Sequence, residues 1–436
     1  MLRGLSRQHN LRVLLFLVFT LLTACGTSQQ PAPTIVAESA KASDFLSRQD
    51  RIDIFEDVWK TINNEYYDPS FNGVDWQEVH DRYRPRAEAA TNDVDFFKLF
   101  EVMLAELRDA HTSFGYPRQG NEQNSLPRGS VGISLGEVDG KTVIVTVEPD
   151  SDAARAGVRP GMFLRTVNSR PVEHLFAEIR SSFSGSSSER ATKNILHHAL
   201  LYGGFLGASR AFSIEGTDGA VFNVEVVRRN APPESSLLTA RRLPSDYGYI
   251  KFDSWQTPVE KQFKTELAKL MNTSGLIIDL RGNGGGTKEV QIDIASNFFP
   301  SATNYGVVRY RRGNIEPYTT QPPEQVYRGN LVILVDEKSA SASELFSVVM
   351  QEYRRAVVVG RQTCGCTLKQ RVKRVKGGGT LRWSYGIYIS PRGRDIEGKG
   401  VIPDKTVALT VSDLRQGRDA ALELAENTLK GGRHNP

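Results

Sequence analysis

A serine at the mouth of a helix has the surroundings a nucleophile needs, and the stretch from Leu331 to Tyr353 puts Ser341 there. LVILVDE is an apolar run of strand type, KSASASE follows, and LFSVVMQEY carries apolar residues at helical spacing. A helix start leaves backbone N–H groups unpaired and carries a partial positive charge, both suited to a developing oxyanion. The same letters also spell a capping box, with Glu344 three residues after Ser341, and many inert helices use one. A second candidate is the glycine cluster Arg281-Gly-Asn-Gly-Gly-Gly286, behind the buried-strand pattern GLIIDL. Consecutive glycines let backbone amides approach a ligand, as an oxyanion hole requires. Neither the GxGxxG nor the G-x-x-x-x-G-K-[ST] order is present, which argues against a nucleotide cradle. His111 closes a helical pattern, where it suits the helix dipole; Asp109 just before it could orient the imidazole for proton transfer.

The elements that must position these groups follow from the patterning. With 436 residues, 39% hydrophobic and 24% charged, the chain is globular and long enough for two or three domains. Phe55, Val58, Trp59, Ile62 and later Phe96, Phe97, Phe100, Met103, Leu104 and Leu107 recur at helical spacing. They predict an N-terminal helical domain over 45–125. From 126 to 232 the pattern turns to short strands, SVGISLG and TVIVTVEP, with a hairpin turn at Thr217-Asp218-Gly219. A Gly-containing loop, a short helix ending at Gly157 and a Pro160-Gly161 turn resemble a PDZ domain, a fold that adds extended peptides to a sheet edge. Its carboxylate loop would be Ser130, Val131, Gly132 and Ile133. Residues 173–204 read as a helical insertion, and its adjacent His197 and His198 fall on different helix faces, which speaks against a shared metal. From 233 to 436, strands and helices alternate, predicting an α/β core with largely parallel pairing and a C-terminal helix near Val411–Lys430. The expected fold class is α+β multidomain.

The first residues are of targeting type. Arg3, Arg7 and Arg12 precede the apolar run Val13–Leu22, too short for a permanent membrane span. The following LTAC resembles the lipobox of bacterial lipoproteins, so residues 1–24 are expected to be removed and Cys25 lipidated. Residues 25–44 form a polar, Pro/Ala/Ser-rich tether. That predicts an exported protein held at the cell envelope by its lipid anchor. The net charge is +5, three of which are the leader arginines, too little to argue for nucleic acid. Besides Cys25 the chain has Cys364 and Cys366, which cannot make a disulfide framework. They could bind metal or pair with each other, although no further metal ligands accompany them.

Taken in order, a helical block ending in DAHT, the PDZ-like module, DLRGNGGG, SASASE, GRQTCGC and IEGKGVIPD resemble the C-terminal processing (tail-specific) family of serine peptidases with its tricorn-like branch. The resemblance runs from about residue 50 to the C-terminus. It implies Ser341 as nucleophile and the amides of Gly285 and Ala342 as oxyanion hole. It also implies polypeptide substrates with accessible C-terminal tails, and no metal or organic cofactor. One position departs. The family's general base is a lysine 25 residues after the serine, and here that position is Cys366, although Gly360, Thr363, Gly365 and the supporting Gln370 match. Three readings follow. His111 is the base, with Glu397 completing the relay as in the tricorn-like branch, though that branch carries a serine where this chain has Ala110. Alternatively Lys369 or Cys366 substitutes, although in a continuous strand residue 369 would face away from 366, and a protonated thiol is a poor base. Or the site is inactive and the chain is a tethered module that binds polypeptide tails.

Overall fold

The computed structural model describes residues 46–115, 129–182, 186–201, 206–229 and 237–431. The leader, Cys25 and the tether lie outside the described residues. Among those described, no helix is long and apolar enough to cross a membrane.

The helical block is α1 (Arg48–Glu65), α2 (Trp76–Ala89) and α3 (Asp93–Ala105). Each starts where a short polar side chain takes a free amide of the first turn: Ser47, Asp75 and Asn92. Their apolar faces bury Phe55, Val58, Trp76, Phe96 and Phe100 in one cluster, which also takes in Leu381 and Trp383 from the far end of the chain. The chain leaves this block through β1 (Ser113–Gly115). The Asp109–Thr112 turn before it is tied down by Asp109, which accepts from His111 N–H at 2.8 Å and from Thr112 Oγ1 at 2.5 Å.

The second module is an antiparallel sheet of β2 (Ile133–Val138), β3 (Lys141–Val147), β4 (Phe163–Val167), β6 (Ser209–Glu215) and β7 (Val221–Val227), in that spatial order. A short β5 (Arg170–Pro171) pairs with β4. The helices are α4 (Asp152–Arg155), α5 (Val172–Ser182) and α6 (Glu189–Leu201). The stretch expected as an insertion is built into the module: α6 packs against β2, and Leu200 joins the core with Ile133, Leu135 and Phe212. Because β2 is the end strand of its sheet, its outer edge faces α6 across a groove.

The core holds two sheets. One runs β17 (Lys405–Thr406), β14 (Val357–Gly360), β13 (Leu331–Val335), β10 (Leu276–Asp279), β9 (Gly248–Phe252), β8 (Leu238–Arg242), parallel except for β8. Its central strands are near-continuous Val, Ile and Leu because helices cover both faces. These helices are α7 (Val259–Leu270), α8 (Lys288–Ser296), α9 (Ala342–Glu352) and α11 (Ala420–Lys430), while α10 (Val411–Gln416) lies against Gly161 of the second module. The single C-terminal helix expected over 411–430 is two, since Gly417 at φ +63° ends the first. A second, antiparallel sheet was not foreseen: β1, β16 (Thr380–Ile389), β11 (Asn304–Tyr310) and β12 (Ile315–Thr319), with β15 (Lys369–Arg374) on β16. Through β1 on β16 it joins the helical block to the core.

Candidate active site

Ser341 occupies the turn between β13 and α9, at the carboxyl end of the parallel sheet. Its φ of +53° and ψ of −118° are unusual for a side-chain-bearing residue, a strained turn of the kind that can present a nucleophile. Two acceptors hold its amide there: the carbonyl of Cys366 at 2.9 Å and Glu344 Oε2 at 3.1 Å. The glutamate half of the capping box is thus present, but Glu344 does more. Its fully buried carboxylate also accepts from Thr363 Oγ1 (2.5 Å), Gly365 N–H (2.7 Å) and Cys366 N–H (2.8 Å). Burial outweighs the donors that pull its pKa down and leaves it above the ordinary glutamate value. Each oxygen already accepts two hydrogen bonds, so an added proton would lack an acceptor. The carboxylate therefore welds the Ser341 turn to loop 361–368.

The glycine cluster meets Ser341 from the other side. A Cβ on Gly285 would lie 2.6 Å from Ser341 Cβ and 3.1 Å from Ala342 N, and its φ is +99°, so no other residue fits. Buried Asn283 pins the two segments together, its carbonyl accepting from Ala340 N–H and Ser343 Oγ, each at 3.0 Å. Trp255 adds a bond from Nε1 to Ser343 Oγ at 2.8 Å. Ala342 is the first helical residue, so its amide has no acceptor within the helix. The Gly285 amide is not free: it donates to Asn283 Oδ1 at 2.9 Å. The oxyanion role expected of it therefore requires that bond to be shared or released.

Ser341, Ala342 and His111 line one cavity of about 340 Å³, together with Gly286, Val308, Tyr318, Leu345, Leu368, Lys369 and Gln370. Among the described residues no hydrogen bond joins His111 to Ser341, and His111 Nδ1 is buried without a partner. Burial lowers the imidazole pKa, with Asp109 opposing. Asp109 spends its carboxylate on the turn, not on the ring. Glu397 is half-buried beside Thr367. Its Oε2 accepts from Thr367 N–H at 2.5 Å and Thr367 Oγ1 at 3.1 Å, while Oε1 has no partner. Burial pushes its pKa up to about 8, the Ser187 hydroxyl being the strongest opposing influence.

The other base candidates fall differently from expectation. Cys366 is bonded to Cys364 in a disulfide, so it offers no thiol, and the pair borders a different cavity. Lys369 faces the Ser341 cavity, against the strand-alternation argument, because the strand begins only at Lys369 itself. Its ammonium pairs with Glu316 at 2.6 Å, which more than offsets burial and raises its pKa far above the ordinary lysine range. A lysine so held is a poor proton acceptor.

The second cavity, about 660 Å³, lies between β2, α6 and the core. Ile133, Ser134 and Leu135 form one wall, His197 and His198 the other, and Ala340 and the disulfide the end nearest Ser341. Both histidines border it, despite being adjacent on a helix. His197 Nε2 and Ser186 Oγ are buried there without partners, and burial pushes the His197 pKa down to about 4. In the Ser130–Ile133 loop, Ser130 pairs with Arg229, and Gly132 N–H donates to Ser130 Oγ at 2.9 Å. Sequence reasoning missed Asn283, Trp255, Glu344 as a carboxylate hub, and Ser187. Of these, Asn283 and Glu344 lie inside the motifs already marked, and nothing local marks the other two.

Comparison with known proteins fits this geometry. Residues 246–407 match Peptidase family S41, and residues 47–105 match the Tricorn protease C1 domain. The carboxyl-terminal-processing protease of Synechocystis is 25% identical over 394 residues, covering 86% of each chain. Among solved structures, the photosystem II D1 C-terminal processing protease superposes with a TM-score of 0.60 at 21% identity, over 88% of this chain and 98% of that one. Mature CPAF complexed with lactacystin superposes at 0.67 and 14% identity, over 88% and 98%. With a serine at a strained strand-to-helix turn packed on a glycine cluster, residues 246–407 form a Peptidase family S41 domain, and the chain is a serine-type peptidase related to the C-terminal processing proteases.

Proposed function

We propose that this peptidase is tethered to a membrane through lipidated Cys25 and cleaves exported polypeptides captured by their C-terminal tails. An extended tail would add to the outer edge of β2, in the groove closed by α6, whose far end reaches the nucleophile turn. His111 is the general base. It takes the Ser341 hydroxyl proton as Oγ attacks the scissile carbonyl, then returns it to the leaving amine. The Ala342 amide meets the oxyanion, joined by Gly285 N–H as its bond to Asn283 gives way. Glu397 balances the charge of the imidazolium.

One observation carries the choice of base: His111 shares the Ser341 cavity, whereas Cys366 is disulfide-bonded and Lys369 is paired with Glu316. Burial favours the neutral imidazole, the form that can accept a proton. The peptidase relatives do not favour the binding-module alternative. The test uses the detergent-solubilised full chain on an unfolded protein. Cleavage should vanish in Ser341→Ala and fall by roughly 10²–10⁴ in His111→Ala, while Lys369→Met keeps most of it. Activity surviving His111→Ala but lost in Lys369→Met would replace the histidine with the lysine. The tether has its own test: Cys25→Ser should move the chain from the membrane to the soluble fraction.

A further inference from the structure

Ala110 leaves the His111 segment without a hydroxyl of its own. One arrives from the second module. Residues 186–191, leading into α6, wedge between three active-site segments. Ala110 N–H donates to Ser187 Oγ at 2.9 Å. A Cβ on Gly398, next to Glu397, would lie 2.9 Å from the Ser187 carbonyl oxygen, so the two loops touch. Ser188 Oγ donates to the Cys364 carbonyl at 2.5 Å. Arg190 Nε donates to Thr363 O and its Nη2 to Lys399 O, each at 2.6 Å. Ala191 packs on the disulfide.

We propose that Ser187 is a positioning residue of the catalytic site: its hydroxyl accepts Ala110 N–H and donates to the Glu397 carboxylate, tying the His111 segment to its counter-charge. Because the residue belongs to the peptide-capturing module, the relay is complete when residues 186–191 are seated against the core. The inference rests on the histidine-base reading above. The groups facing Glu397 are Asp109 of the His111 turn, Glu344 of α9, Tyr66 and Tyr67 beyond α1, and Ser187 itself. The carboxylates among them disfavour a charge on Glu397 and the tyrosines stay neutral; Thr367, donating through N–H and Oγ1, favours it at Oε2, and Ser187 is the further hydroxyl on this side that does so.

The experiment measures kcat and KM against pH for the full chain, wild type, Ser187→Ala and Ser187→Thr, with Tm recorded for each. Ser187→Ala should lower kcat roughly tenfold, less than losing the base itself, with KM little changed. The acidic limb of its kcat profile should move to higher pH, since Glu397 then holds its proton longer. Ser187→Thr, which keeps the hydroxyl, should restore both. An unchanged kcat, or a loss that leaves the limb where it was, would overturn the proposal. So would a failure of threonine to rescue at unaltered Tm. Should His111→Ala remain active, the base assignment fails first. If His111→Ala is dead and Ser187→Ala behaves as wild type, this inference alone falls.

Discussion

Glu397 sets the pH behaviour expected of the site. Its carboxyl is pushed up to about 8 mainly by burial, so near neutrality most of it is protonated and cannot balance an imidazolium. His111, the base in the proposed mechanism, has a lowered pKa and is neutral throughout that range. Activity should therefore climb as pH rises through about 8, and Glu397→Gln should flatten that limb and lower the plateau. Stability runs the other way. A carboxyl whose folded pKa lies above its unfolded value contributes fully below the unfolded value and loses that contribution as pH rises through the folded one. The unfolding temperature should fall from about pH 4.5 to about 8 and level off as kcat nears its plateau, and this slope should be absent in Glu397→Gln. Parallel trends in the two quantities would mean that another group governs the limb. At Gly285 the issue is space and conformation together. Gly285→Ala drives a methyl into Ser341 Cβ at a φ of +99°, and kcat should drop by at least the roughly 10²–10³ of a lost oxyanion donor.

Loop 361–368 is the element on which the geometry of the Ser341 turn depends. It carries the disulfide, supplies the Cys366 carbonyl to Ser341 N–H and offers three donors to Glu344. The bond closes so short a loop that chain entropy assigns it roughly 1–2 kcal/mol of stability. Its local effect should exceed this. Replacing both cysteines by serine should shift Tm modestly yet lower kcat severalfold, because the carbonyl that orients Ser341 is no longer braced. Equal activity of the serine variant would make the disulfide a bystander. Glu344→Gln tests the same element from the buried side: an amide presents two donors where four donors converge. It should destabilise by several kcal/mol, as removing a buried charge from its partners does.

Across the molecule, contacts of α6 hold the second module on the core. Besides Arg190, Asn194 Nδ2 donates to the Glu337 carbonyl at 2.7 Å, and from the core Lys338 Nζ reaches the Leu135 carbonyl of β2 at 2.8 Å. Arg190→Met keeps the aliphatic stem and removes the donors. It should raise hydrogen exchange over 186–201 and 396–400 and lower kcat, with global Tm changed by little. A fall in Tm without local exchange would instead make Arg190 a general stabiliser. The helical block is anchored through β1 on β16 and through Leu381 and Trp383 in its core, so His111 sits at the seam of block and sheet.

The sequence by itself determined the strands LVILV and LIID, the helix that starts after Ser341, the glycine cluster and the cysteine at position 366. Each is a local pattern: an apolar run, a cap, a glycine cluster, a substituted position. Tertiary structure decided which residues surround Ser341. His111 and Ser341 are 230 positions apart and share a cavity because β1 pairs with β16 at the far end of the chain. Lys369 turned toward that cavity because its strand starts late, and a partner at position 316 then neutralised it. The antiparallel sheet stayed hidden because, although β11–β12 and β15–β16 are local hairpins, the pairings of β16 with β1 and β11 that join them into one sheet link separated stretches of the chain. Ser187 stayed hidden for the same reason: a hydroxyl in a polar loop acquires meaning through the neighbours that long-range packing brings against it.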